Sequence, residues 1–247
     1  MAKIASHLEA WPAAYLAARS LRNRLLGPPE EELALLPFLV DGRRRSVDVG
    51  GHTGVYTQAL LEVSAAVTAV EANPELAARL KRLFAGKAEV IWTALSSAEG
   101  EAELRRPAIT GLATIEPGNV LSEGDIQTFK VPMTTLDALD LSDVGFIKID
   151  VEGHELEVLK GAQALLRRDR PTLLIEAEER HRNNAVRSLR EYLGGFGYQG
   201  LMLDGGRLVG MDRFDPDKDQ HAPEAAIHLL NTGAYSGRYI NNFVFLA

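Results

Sequence analysis

Ser46-Val47-Asp48-Val49-Gly50-Gly51-His52-Thr53-Gly54 reads as a strand that ends in an acid and runs into a glycine-rich turn, and Val55–Leu61 continues it as a helix. Glycine adopts positive φ and has no side chain in the way, so backbone N–H groups in such a turn approach a ligand closely. A nucleotide-like guest is expected. The dinucleotide fingerprint needs glycine two residues after Gly50, where His52 stands, and no Gly-Lys-Ser/Thr follows to make a phosphate loop. Glu71 lies roughly 20 residues beyond the turn at the end of the next strand, where an acid accepts from ribose hydroxyls. The turn therefore suits an adenosine with an amino-acid tail, whose ammonium Asp48 is placed to help hold. That points to S-adenosylmethionine.

Composition narrows the class. A chain of 247 residues fits one large α/β domain with an appendage. The formal net charge of −7 leaves no electrostatic footprint for nucleic acid, and zero cysteines exclude disulfides, thiol nucleophiles and thiolate metal sites. There is no signal-peptide pattern and no apolar run near the ~20 residues of a membrane span. A cytoplasmic protein with neither nucleic acid nor membrane as partner is expected. Nothing here fixes an oligomeric state.

Residues 1–44 read as an N-terminal helical cap, with Leu8, Trp11, Tyr15, Leu16 and Leu21 at helical spacing and Gly27-Pro28-Pro29 as a break before a short helix from Glu30 to Phe38. Trp11, Tyr15 and Arg19, four apart, either line a substrate mouth or pack on the domain. From 45 to 247 strand and helix alternate, the mark of a parallel sheet. Ala66–Glu71 is the second strand. Asn73-Pro74 starts a helix with Asn73 as its cap, and Ala88–Leu95 reads as the third strand. Ala72 follows the ribose acid, and Ala94 and Leu95 are placed to lie against an adenine. Ser96–Arg106 reads as a hairpin about Glu99-Gly100. Residues 107–128 lack periodicity and are expected to set substrate specificity. Tyr198–Val209 reads as a hairpin, His221 and His228 match no metal spacing, and Phe243–Leu246 is a terminal strand.

The second informative stretch is Val144–Glu155, an apolar strand delivering Asp150 to its carboxyl end, followed by Val151-Glu152-Gly153-His154-Glu155 and a helix. Ligands of open α/β sheets sit outside the carboxyl ends of the strands, so Asp48, Gly50–Gly54, Glu71 and Asp150 should share one edge. A helix starting directly after Asp150 would put Asp150 and His154 on one face, as base and orienter. Glu176 ends the next strand beside them, and with Glu152 it is a candidate for binding substrate. Asp150 and Glu176 would also suit Mg²⁺, a variant that two carboxylates alone do not decide. The charged run Glu178–His181 reads as a solvated loop.

Taken together, Asp48-Val-Gly-Gly-His-Thr-Gly54 with Tyr56-Thr57, Glu71-Ala-Asn-Pro74, Thr135-Leu-Asp137, and Ile147-Lys-Ile-Asp-Val-Glu-Gly-His-Glu155 with Leu159-Lys-Gly161 resembles the FkbM family. The likeness covers roughly residues 45–180, and Asn242-Phe-Val-Phe245 looks like the family's last strand. His52 departs from the family's usual asparagine. The resemblance implies a Rossmann-like doubly wound, mostly parallel sheet with an antiparallel C-terminal strand. It also implies an S-adenosylmethionine-dependent O-methyltransferase acting on a hydroxyl of a sugar, glycan or polyketide-type product. The expected roles are Asp150 and His154 at the reacting centre, with Asp48, Gly50, Gly51, His52, Thr53, Gly54, Glu71, Ala72, Ala94, Leu95 and Asp150 on the cofactor. A non-catalytic cofactor-binding subunit and an NAD-dependent reductase are the alternatives.

Overall fold

The computed structural model describes residues 11–27, 30–106, 113–116, 126–222 and 237–247. Its strands are β1 (Arg45–Val49), β2 (Ala66–Glu71), β3 (Glu89–Trp92), β4 (Ala94–Leu95), β5 (Gly100–Arg106), β6 (Gln127–Thr134), β7 (Val144–Ile149), β8 (Thr172–Glu176), β9 (Gln199–Asp204), β10 (Arg207–Gly210) and β11 (Asn242–Leu246). The larger sheet runs β10-β9-β11-β8-β7-β1-β2-β3. β8, β7, β1, β2 and β3 are parallel, and β11 enters antiparallel between β8 and β9. This is the expected doubly wound sheet with its antiparallel C-terminal strand. The hairpin about Asp204-Gly205-Gly206 adds β10 at the edge.

Alternation along the central strands assigns the two faces. Val47, Val49, Ile147, Ile149, Leu173 and Ile175 pack on one side with α5 (Glu155–Lys160), α6 (Gln163–Asp169) and α7 (Ala185–Gly194). Phe146, Leu174, Val244 and Val67 pack on the other with Tyr56 and Leu60 of α3 (Val55–Leu60) and with Leu36 of α2 (Leu36–Leu39). Central strands buried on both faces read as unbroken apolar runs, which is why β2, β7 and β8 could be placed from sequence. Asn73 caps α4 (Pro74–Leu83) by accepting from the Glu75 and Leu76 N–H groups.

The N-terminal helix α1 (Pro12–Leu26) packs through Leu16 and Tyr15 against Leu80, Leu83 and Phe84. Of the expected 1–26 helix, residues 1–10 lie outside the described residues. Tyr15 accepts from Arg79, and Arg19 donates to the carbonyls of Thr53 and Gly54 at 3.0 and 2.6 Å. Tyr15 and Arg19 therefore pack on the domain, while Trp11 points to solvent.

Three local expectations fail. The third strand stops at Trp92; after Thr93, Ala94–Leu95 leaves the large sheet and pairs with β6 in a second sheet, order β4-β6-β5. The hairpin about Glu99-Gly100 does not form, because β5 pairs with β6 across residues 107–126. And the helix after Asp150 waits until Glu155, since Glu152 (φ 53°) and Gly153 (φ 101°) turn the chain first. No helix among the described residues is long and apolar enough to cross a membrane.

Candidate active site

β1 lies between β2 on one side and β7 on the other, so the strand order reverses at its carboxyl end. A crevice opens at such a point. Here it is a cavity of about 720 Å³, counting its mouth, whose walls include Gly50, His52, Glu71, Ala72, Ala94, Leu95, Asp150, Glu152 and His154. Gly50 sits at φ +84°, and a Cβ there would stand 1.9 Å from the carbonyl oxygen of Asp150. Only glycine lets the turn and the end of β7 meet so closely.

The turn does not present its N–H groups as expected. Gly50 and Gly51 both donate to Val70 O, at 2.9 and 3.2 Å, and Gly54 donates to Gly51 O at 2.7 Å. His52 N–H donates to Glu71 Oε2 at 2.8 Å. What the turn offers the cavity is close approach and the His52 ring, whose Nε2 is buried with no partner among the described residues. Burial lowers the His52 pKa, with Asp150 pulling the other way, so the ring is neutral at physiological pH.

Glu71 is held by two backbone donors, His52 N–H and Asn73 N–H at 2.7 Å. Each carboxylate oxygen keeps a further acceptor site. Burial, offset in part by those two hydrogen bonds, raises its pKa to about 7. Asp48 does not line the cavity: it is buried, accepts from Thr57 Oγ1 at 2.5 Å, and burial raises its pKa to about 6. Thr53 is likewise absent from the wall, its carbonyl accepting from Arg19 and Arg79.

Asp150 and His154 share the cavity but play different parts. The Asp150 carboxylate has neither hydrogen bond nor ion pair within the described residues. His154 has both ring nitrogens engaged, Nε2 with Ser96 Oγ and Nδ1 with Glu116 Oε2, each at 2.9 Å. Glu116 and Ser96 escaped the sequence reading because they lie 38 and 58 residues from His154 along the chain. Ala113, Thr114 and Ile115 form part of the wall, and Thr114 Oγ1 donates to Glu152 O at 2.9 Å. Of the segment expected to set specificity, only 113–116 and 126–128 are described.

The charged run after β8 is not a solvated loop. Glu178 and His181 are buried, with His181 between Glu152 at 2.9 Å and Glu178 at 3.7 Å and with Arg180 and Tyr239 also on Glu178. Burial disfavours the charged His181 ring, but the two carboxylates outweigh it and lift its pKa to about 10. Burial likewise opposes ionisation of Glu178, and His181 and Arg180 overturn it, to about 2. Glu176 accepts from Asn241 at 2.7 Å and lies 3.6 Å from the buried Lys148. Burial, with Asp150 adding to it, holds the Glu176 pKa well above the ordinary carboxylate range. Among the described residues no three His, Asp or Glu side chains converge to hold a metal ion, so the Mg²⁺ variant gains no support.

A family model described as the methyltransferase FkbM domain matches residues 48–199. The chain belongs to the FkbM methyltransferase family. The match spans the glycine turn, Glu71, the wall residues and the Asp150–His154 stretch, and leaves out the N-terminal cap. No curated protein matches the chain. Among solved structures, the methyltransferase FkbM from Methylobacillus flagellatus KT is 19% identical, with a TM-score of 0.53 over 83% of this chain and 44% of that one. This chain thus spans less than half the length of that FkbM protein, and the likeness speaks for the fold alone. Looser likenesses are to a precorrin-6y C5,15-methyltransferase from Geobacter metallireducens GS-15 (13% identity, 87% and 86% of the two chains, TM-score 0.44) and an O-methyltransferase from Bacillus cereus in complex with SAH (14%, 97% and 89%, TM-score 0.42). Likenesses this loose carry no weight in the reading of the site.

Proposed function

We propose that the chain is an S-adenosylmethionine-dependent O-methyltransferase whose acceptor is a hydroxyl of a sugar, glycan or polyketide-type product. The observation that carries this reading is the free carboxylate of Asp150, standing at the carboxyl end of β7 on the wall of the cavity and opposite the glycine turn. The residues present fit the cofactor. His52 Nε2 is buried there without a partner, Glu71 keeps acceptor sites for ribose hydroxyls, and Ala72, Ala94 and Leu95 offer a small apolar wall for the adenine.

The cofactor, when bound, supplies a methyl group made electrophilic by its sulfonium. The chain's part is to align an oxygen with it, exclude water and take up a proton. Asp150 receives the proton of the acceptor hydroxyl on its carboxylate. Glu152, whose carboxylate lies against His181, and Glu176 are the candidates to accept from the acceptor's other hydroxyls. His154 is a positioning residue: with both nitrogens committed, it ties residue 116 and the end of β4 to the turn after β7. Its neighbours, not the acceptor, occupy its ring.

Calorimetric titration with S-adenosylhomocysteine, followed by transfer of labelled methyl to polyol acceptors, tests the reading. Micromolar binding, lost in Glu71→Ala, together with transfer that Asp150→Asn lowers at least 10²-fold, is the expected result. Absence of binding by the wild type overturns the cofactor. Undiminished transfer by Asp150→Asn overturns the base.

A further inference from the structure

The glycine turn does not hold its own shape. Gly50, His52 and Gly54 all stand at positive φ (84°, 44° and 76°), and His52 does so with a side chain. A non-glycine residue keeps such a conformation only where its surroundings fix it. The N–H groups of Gly50, Gly51 and His52 are received by Val70 O and Glu71. The carbonyls that follow need donors of their own. Gly54 O accepts from Gln58 N at 3.1 Å as α3 begins, but Thr53 O has no backbone donor among the described residues. A carbonyl left without a donor destabilises the conformation that strands it.

Two guanidiniums supply what is missing. Arg19 of α1 donates to Thr53 O through Nη1 at 3.0 Å and to Gly54 O through Nη2 at 2.6 Å, and its Nε donates to Gln58 Oε1. Arg79 of α4 donates to Thr53 O at 3.2 Å and to the Tyr15 hydroxyl at 3.1 Å. Both guanidinium carbons lie against the Tyr15 ring, 5.6 and 5.7 Å from its centre and within cation–π range, so the ring sets the two heads. Gln58 closes the arrangement by donating to Leu16 O and Ser20 Oγ, each at 2.8 Å. A planar fork suits two neighbouring carbonyls in a way that a point-like ammonium does not. The family match begins at residue 48, so Arg19 and Tyr15 lie outside it.

We propose that Arg19 is a positioning residue for the cofactor: from α1, and together with Arg79, it fixes Thr53 and Gly54 so that the turn presents the His52 ring to the cavity. The N-terminal helix is then part of the cofactor site and not a cover laid over it. The proposal rests on the cofactor reading above.

Hydrogen exchange and calorimetry on the full chain separate this from simple anchoring of α1. Without ligand, Arg19→Ala should speed exchange at residues 50–54 about tenfold or more, since bonds from a charged donor are lost, while α1 stays protected through Leu16. The dissociation constant for S-adenosylhomocysteine should rise about fivefold or more, because only the formed turn binds. Arg19→Lys should recover part of both effects by serving one of the two carbonyls. Arg79→Ala should weaken binding less than about threefold, because Arg19 still serves Thr53 O. The double variant should weaken it by more than the product of the two, because Thr53 O is orphaned only when both are gone. Asp137→Ala, a stability control remote from the turn, should leave both readings at their wild-type values. Affinity within about twofold of wild type in the double variant, a double variant that merely multiplies the single effects, or exchange that rises as much in α1 as at residues 50–54 refutes the proposal. A wild type that binds no S-adenosylhomocysteine overturns the cofactor reading instead, and the exchange result alone then decides whether Arg19 holds the turn.

Discussion

Raising the pH from 6 to 8 should tighten S-adenosylhomocysteine binding about tenfold, through Glu71. The carboxyl is buried, and its folded pKa of about 7 stands above its ordinary 4.5. In the free protein a group raised in this way contributes stability that is fully present below pH 4.5 and is lost as the pH climbs through 7. Ribose O–H groups donate to a carboxylate and favour its ionised form. If they return Glu71 to the ordinary carboxylate range, the complex is ionised throughout pH 6–8 while the free site still holds about nine-tenths of a proton at pH 6. Binding then releases that proton at pH 6 and almost none at pH 8, and the linked gain is about tenfold, or about 1.4 kcal/mol. Titration calorimetry at pH 6, 7 and 8 in two buffers of different ionisation enthalpy measures both affinity and proton release. Asp48 and Glu155 are also raised by burial, to about 6 and about 7, so Glu71→Gln is the control. Its affinity should be weaker and nearly flat with pH. An affinity that is flat or falls with pH in the wild type, or an equal slope in the variant, refutes the reasoning.

Gly50→Ala should lose cofactor binding and at least ~3 kcal/mol of stability, because its Cβ would lie 1.9 Å from Asp150 O at a φ of +84°; chemical denaturation checks this. His181→Ala should cost roughly 3–5 kcal/mol by leaving Glu152 buried without the His181 cation and Glu178 with Arg180 as its remaining one. Because its folded pKa is raised to about 10, the wild-type contribution of His181 is complete below pH 6.5 and fades as the pH rises toward 10, so melts between those values should converge with the variant's. Asp137→Ala should cost about 1–2 kcal/mol, since Asp137 accepts from Ala164 N and Leu165 N at the start of α6, both at 2.9 Å; the loss should appear in thermal melts with cofactor affinity unchanged.

What could be read from the chain divides along a physical line. β2 came out at its observed bounds and β7 and β8 in their observed places because a parallel strand buried on both faces is a closed apolar run, and the acid at the end of each run then falls on the carboxyl edge by topology. The same reasoning put Glu71 and Asp150 on the cavity wall. It misplaced Asp48, because an acid inside a strand faces whichever layer its parity dictates, and position 48 faces Thr57 on α3. The partner of β5 was out of reach, since alternation marks a strand without saying what it pairs with, and β6 begins 21 residues after β5 ends.

The motif residues show the same division in the site itself. His154 stood out by its place after Asp150, and helical spacing suggested a base and its orienter. The spacing argument fails because Glu152 and Gly153 hold the chain at positive φ, and His154 becomes a tether between three segments brought together only by the fold. Gly161 has a similar explanation: a Cβ there would stand 2.0 Å from Ser96 O, so the glycine admits the segment that carries the serine on His154. The run Glu178–His181 looked solvated because its compensating charge, Glu152, comes from the turn after the neighbouring strand. A buried ion cluster of this kind is costly unless every member is paired. It couples the ends of β7 and β8, and so holds in place the turn from which Asp150 faces the cavity.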